Sequence, residues 1–240
     1  MKKSNPTIIL VRPQLSENIG MAARAMDNFG LSKLSIVSPR DGWPSNKAKD
    51  TSKHGIKIIT NAKIFNNLEE SLKDYNFVIA TSNRKRFLTK KIYNNFNFFK
   101  KNIYEHNKVA ILFGPENSGL SNHDLRLANF IFTIPTANSN KSINLSHAVT
   151  LISHELFNFN STIDSSDKIM KSDKVTKLDL SNYLDFLIKD LESKDFFNPV
   201  EKKESMIDNI YSIYNKIDLS KKELRMLWGM HKKLKNQPKS

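Results

Sequence analysis

Three polar segments concentrate side chains that can bind or react, and each follows an apolar run. The first, residues 13–24, reads Pro-Gln-Leu-Ser-Glu-Asn-Ile-Gly-Met-Ala-Ala-Arg. At 100° per residue a helix here puts Glu17, Gly20, Arg24 and Asn28 on the face opposite its apolar stripe. Gly20, one turn before Arg24, leaves room for a ligand to approach the guanidinium; the plainer alternative is a solvated arginine on an amphipathic helix. In the second, residues 113–122 (Phe-Gly-Pro-Glu-Asn-Ser-Gly-Leu-Ser-Asn), two of the seven glycines lie in one loop, where backbone freedom is needed. Ser121 or Asn122 can cap the following helix, whose start then offers N–H groups to a polar ligand. Neither G-x-G-x-x-G nor a Lys-Ser/Thr phosphate-loop ending is present. The third segment, residues 134–146, runs Ile-Pro-Thr-Ala-Asn-Ser-Asn-Lys-Ser-Ile-Asn-Leu-Ser. Ser142 or Asn144 serves there as a helix cap, yet one cap does not require so many small polar residues.

The elements that must hold these segments follow an α/β rhythm. Near-continuous apolar runs predict strands at 7–11, 33–37, 57–59, 77–81, 109–113 and 130–134, covered on both faces as in a parallel sheet. Residues 17–29 gather Ile19, Ala22, Ala23 and Met26 on one helical face, and residues 144–159 do the same with Leu145, Ala148, Val149, Ile152 and Leu156. The first segment therefore sits at the C-terminal edge of a strand, where open α/β sheets bind ligands. A Ser/Asp/Lys-rich stretch at 161–178 reads as a linker. Beyond it, helical patterns occupy 180–191, 206–217 and 221–234, the last opened by the capping-box pair Ser220 and Glu223. The expected organisation is an α/β domain at 1–160, a linker at 161–178 and a small all-α extension at 179–240.

Composition limits the chemistry further. The 240 residues contain 38 Lys+Arg and 24 Asp+Glu, a net charge of +14, and no cysteine. Disulfides, thiol nucleophiles and thiolate metal sites are thereby excluded, which fits a cytoplasmic protein. His123, His147 and His154 lack metal-site spacing, so no metal is expected. The apolar run after Met1-Lys2-Lys3 is too short for a signal sequence, and no run approaches a membrane span. Residues 1–160 hold 22 basic and 11 acidic side chains, against 16 and 13 in 161–240. The surplus thus falls on the α/β part and points to a polyanion, unless it reflects mere lysine-rich composition. Its densest stretch carries Arg84, Lys85, Arg86, Lys90, Lys91, Lys100, Lys101 and Lys108, with Glu105 the sole acid from 82 to 108. Tyr93, Phe96, Phe98, Phe99 and Tyr104 are interleaved there, a mixture suited to RNA backbone and unstacked bases; most of these rings are expected to pack inward.

The order Asn-Ile-Gly-x-x-Ala-Arg-Ala-Met, Phe-Gly-x-Glu-x-x-Gly-Leu and Ser-Ile-Asn-Leu resembles the three motifs of the SpoU/TrmH branch of SPOUT RNA methyltransferases. It is most similar to the TrmJ type, over residues 7–158, and the Phe196-Phe197-Asn198-Pro199 segment resembles that type's helical extension. The resemblance implies a SPOUT-type parallel sheet with a C-terminal trefoil knot, followed by the helical extension. It implies S-adenosyl-L-methionine as cofactor, held by Thr81, Ser82, Asn83, Gly114, Ile134, Lys141, Ser142 and Ile143. It further implies catalytic roles for Arg24, Asn18, Ser142, Asn144 and Glu116, and RNA contacts from Arg24, Arg84, Lys85, Arg86, Lys90 and Lys91. Two departures stand out: Ile143 replaces the usual Leu, and Thr136-Ala137-Asn138 replaces an Asn-Pro start to the third loop.

By this resemblance the chain is expected to be a tRNA 2′-O-methyltransferase acting on cytidine or uridine at anticodon-loop nucleotide 32, working as a homodimer with its site near the subunit contact. A 2′-O-methyltransferase of rRNA or of another tRNA position is the alternative within the class. A non-catalytic RNA-binding protein of the same fold is the alternative outside it; intact Asn18, Arg24, Glu116, Ser142 and Asn144 weigh against it.

Overall fold

The computed structural model describes residues 5–84, 90–137, 141–159 and 173–235. Seven parallel strands form one sheet in the order β3-β2-β1-β6-β4-β7-β5. They are β1 (Thr7–Val11), β2 (Leu34–Val37), β3 (Lys63–Phe65), β4 (Phe77–Thr81), β5 (Ile92–Tyr93), β6 (Val109–Phe113) and β7 (Phe130–Phe132). Every residue of β1 and β6 is buried, as expected of central strands covered on both faces.

Side chains alternate between two cores, following the two-residue period of a strand. Ile8, Leu10, Ile36, Ile79, Ile111 and Phe113 face one side. There they meet α1 (Ser16–Asn28), α2 (Asn46–Ser52), α3 (Ile56–Thr60), α5 (Phe96–Glu105) and α7 (Leu145–Phe159). Ile9, Val11, Val78, Ala80 and Leu112 face the other, against α4 (Leu68–Leu72) and α6 (Asn122–Arg126).

The second core also takes in Leu180, Tyr183 and Leu184 of α8 (Lys177–Glu192), Tyr211 of α9 (Lys203–Lys216) and Leu224 of α10 (Lys221–Lys235). The C-terminal helices therefore cover one face of the sheet. Thr176 and Asp179 form a capping box that starts α8, and Ser220 and Glu223 hydrogen-bond reciprocally at the start of α10. An antiparallel bridge joins Lys174 to Ser220, so ordered contacts begin within the stretch expected to be linker; residues 160–172 lie outside the described residues.

The expected strand at 57–59 is instead helix α3. A three-residue apolar run cannot distinguish a strand from a buried helical turn, and here Ile58 and Ile59 enter the first core from a helix. The neighbouring edge strand is β3, whose Lys63 and Ile64 are exposed, so it lacks the apolar signature of a covered strand. Two-residue β5, at the other edge, is missed for the same reason.

Candidate active site

At the C-terminal edge of the sheet, side chains from all three polar segments join in one hydrogen-bonded chain. Asn18, in the first turn of α1, is 1% exposed. Its Nδ2 donates to Glu116 Oε1 at 2.7 Å, and its Oδ1 accepts from Asn144 Nδ2 at 3.1 Å. The other oxygen of Glu116 accepts the Gln14 backbone N–H at 2.8 Å. Asn144 Oδ1 takes the Ser146 N–H at 2.8 Å and its hydroxyl at 2.7 Å, which makes Asn144 the cap of α7. Buried polar groups need such partners, and here satisfying them locks three distant segments together. With both amide ends engaged, Asn18 and Asn144 orient neighbours and do not move protons.

Beside this chain opens a cavity of about 300 Å³. Thr81, Ser82, Asn83, Gly114, Ile134, Lys141, Ser142 and Ile143 all line it, together with Glu116, Arg84, Gly119 and Leu145. Glu116 thus belongs to both the cavity wall and the hydrogen-bonded chain. The end of β4 fastens the two flanking loops. Thr81 Oγ1 donates to the Leu112 carbonyl at 2.8 Å, Asn83 Nδ2 to the Lys141 carbonyl at 2.7 Å, and Arg84 Nη2 to the Asn117 carbonyl at 2.5 Å. Gly114 is required by close approach, since a Cβ there would sit 2.3 Å from Leu120 N and 2.6 Å from the Gly119 carbonyl carbon. Gly119 adopts φ +64°, a region open mainly to glycine.

Arg24 is exposed on α1 and is not part of the cavity wall. It lies six positions beyond Asn18, about 9 Å along the helix axis. The expected use of Gly20 is corrected: its bare Cα admits helix α2, not a ligand. A Cβ at Gly20 would lie 2.0 Å from Thr51 Oγ1 and 2.2 Å from the Ala48 carbonyl oxygen.

Of the residues expected to meet RNA, Lys85 and Arg86 lie outside the described residues. Arg84 and Lys91 are exposed. Lys90 is corrected: it is 7% exposed, and its ammonium donates to the Arg126 carbonyl at 3.0 Å and to the Ala128 carbonyl. Burial lowers its pKa to about 6. It is an internal anchor under the end of α6 and cannot face a nucleic acid. Lys100 is likewise buried and pairs with Glu155 at 2.9 Å, leaving Lys101 and Lys108 exposed. The aromatic side chains mostly turn inward: Phe99 is fully buried, and Tyr93, Phe96 and Phe98 pack on the first core.

Sequence reasoning missed Arg12, which sits at φ +48° just past β1. Its guanidinium pairs with Asp124, the residue whose carboxylate also accepts from Ser121 N–H and hydroxyl in the cap of α6. Arg12 therefore ties the first segment to the helix that follows the second. A charged residue directly after a buried strand is the only hint the sequence offers.

Comparison with known proteins bears on this geometry. The model of the SpoU rRNA methylase family matches residues 5–154. An uncharacterised tRNA/rRNA methyltransferase of Haemophilus influenzae is 30% identical over 94% of this chain and 92% of its own length. The tRNA (cytidine-2′-O-)-methyltransferase TrmJ of Methanocaldococcus jannaschii is 34% identical over 63% of this chain and 66% of its own. The crystal structure of TrmJ from Z. mobilis superposes with a TM-score of 0.87 at 34% identity, covering 96% of this chain and 99% of that one. The family match over residues 5–154, the near-complete coverage and the close superposition lead to one conclusion: the chain belongs to the SpoU rRNA methylase family of RNA 2′-O-methyltransferases, among its TrmJ-type members.

Proposed function

We propose that the protein is a tRNA 2′-O-methyltransferase that modifies nucleotide 32 of the anticodon loop, accepting cytidine or uridine. The observation that carries this reading is the Glu116–Asn18–Asn144 chain, which brings the three motifs together at the wall of the 300 Å³ cavity. The cofactor is S-adenosyl-L-methionine, and the cavity suits it. Ile134, Ile143 and Leu145 offer apolar surface for an adenine ring, the backbone is bare at Gly114 and Gly119, and Glu116, Lys141 and Ser142 supply polar groups. Bound there, the cofactor supplies an electrophilic sulfonium methyl for the ribose 2′-oxygen, whose proton leaves to water.

The chain's own residues have positioning and electrostatic work. Glu116, with both oxygens already accepting hydrogen bonds, fixes the loop after β6 against α1. Ser142 and Asn144 set the loop that enters α7. Arg24 cannot serve as a base, because guanidinium stays protonated in proteins. Its role is to hold the target phosphate and stabilise the developing alkoxide, worth about 10²–10³ in rate by analogy with oxyanion donors. Arg84, Lys91, Lys85 and Arg86 extend the RNA contact.

We assign the enzyme to a homodimer with each site near the subunit contact. The position of Arg24 outside its own chain's cavity supports this, as do the exposed apolar side chains Leu15 and Met21 and, on helix α7 that packs against α1, Leu151 and Phe157. The trefoil knot belongs to the same reading. After β7 the chain must cross the ends of β4 and β6 to bring α7 against α1, consistent with a threaded C-terminal segment. Residues 1–160 act as the catalytic domain and 179–240 as its helical extension, joined by 161–178, in the cytoplasm.

Incubation with labelled S-adenosyl-L-methionine and either total tRNA or ribosomal RNA tests the substrate class. Label in tRNA is expected; label in ribosomal RNA alone would overturn it. Failure to bind the cofactor in calorimetric titration would favour a non-catalytic RNA-binding protein.

A further inference from the structure

The loop between β2 and α2 brings a further arginine, Arg40, beside the site. Because β1 and β2 run side by side with Val11 opposite Val37, the residues just beyond them are neighbours. The Arg40 backbone N–H donates to the Pro13 carbonyl at 3.1 Å, one residue from Gln14, which holds Glu116. That backbone bond holds Arg40 at the edge of the first polar segment, beside the residues that anchor Glu116. The Arg40 side chain is 52% exposed and bonds Asp41 through Nε at 2.8 Å. Lys47 adds a second cation, 3.3 Å from Glu17.

The strand order makes this position informative. The cofactor cavity is built on the ends of β4 and β6 and the loop after β7, whereas Arg40 stands past the end of β2, with β1 and the Asn18–Glu116 pair between them. A ribose presented at the mouth of that cavity, with the cofactor inside it, leaves the β2 side for the continuing RNA strand. We propose that Arg40 binds a backbone phosphate flanking the target nucleotide, with Asp41 as the anion that occupies its guanidinium when RNA is absent. An exposed pair between adjacent residues is weak and readily exchanged. A phosphodiester accepts the planar guanidinium fork at least as well as a carboxylate. This inference rests on the tRNA methyltransferase function proposed above.

The test uses the full chain and filter binding of an unmodified tRNA transcript across a salt series, with cofactor titration alongside. Arg40→Ala should weaken tRNA binding about tenfold and reduce the steepness of the log–log salt dependence by about one. Asp41→Asn should tighten binding. Neither should change cofactor affinity, since neither residue lines the cavity. A wild-type protein that binds and methylates tRNA while Arg40→Ala keeps its affinity and salt slope overturns the role of Arg40 alone. The same role falls if Asp41→Asn weakens binding. A wild-type protein that neither binds nor methylates tRNA overturns the function proposed above and Arg40's part in it.

Discussion

Replacing Asn18 by Ala strands two partners at once, Glu116 Oε1 and the Asn144 amide. Leaving such groups without a bond costs about 1–3 kcal/mol, so urea denaturation of Asn18→Ala should show a loss in that range, with weaker cofactor binding as the loops separate. An unchanged midpoint would mean that water replaces the amide without cost. Arg24→Ala should behave oppositely. Its side chain is exposed and outside the cavity, so stability and cofactor affinity should hold while single-turnover methyl transfer falls about 10²–10³-fold. Near-normal transfer would remove Arg24 from the chemistry. Asn18, Glu116 and Asn144 stand out by type and motif, but their mutual bonds span 98 and 126 residues and cannot be read from local spacing. Lys90 shows the converse limit: composition counts a charge without telling whether it faces water or two buried carbonyls.

Loop and helix approach depends on two glycines whose missing side chains matter more than their flexibility. Gly114→Ala puts a methyl 2.3 Å from the Leu120 backbone nitrogen, and backbone cannot swing aside. The loop after β6 must shift, and cofactor affinity measured by calorimetry should drop at least tenfold; retained affinity would show that the loop is not shaped for the ligand. Strands β1, β4 and β6 are legible because both faces are covered and their sequences are almost wholly apolar. Helices α1 and α7 are legible because each buries one stripe. Edge strands β3 and β5 are not, because strands that meet solvent carry no such pattern, and α3 is too short for its period to register.

Two lysines are withdrawn from solvent, Lys177 in part, where the C-terminal helices join the sheet, and Lys90 almost wholly, under the end of α6. Lys177 Nζ donates to Asn129 Oδ1 at 2.9 Å and to Asn215 Oδ1 at 2.5 Å, while Asn129 also accepts the Val78 N–H of β4 at 2.9 Å. Burial lowers the Lys177 pKa to about 7, and that of Lys90 to about 6, against about 10.4 in an unfolded chain. Above these values the folded state holds fewer protons than the unfolded one, so stability rises with pH from about 6 toward 10. Thermal midpoints should therefore climb between pH 6 and pH 9, and Lys177→Met should flatten part of the climb; a flat or falling profile in the wild type would show both amines charged in the fold. Sequence periodicity marks these helices but not their docking, because Tyr183, Leu184 and Tyr211 would look the same in a free bundle. The most direct test of the proposed activity is to incubate the protein with labelled S-adenosyl-L-methionine and total tRNA and map the methylated ribose. A 2′-O-methyl group at nucleotide 32, absent with Arg24→Ala, is the predicted result, and methylation at another position, on a base or on no tRNA would contradict it.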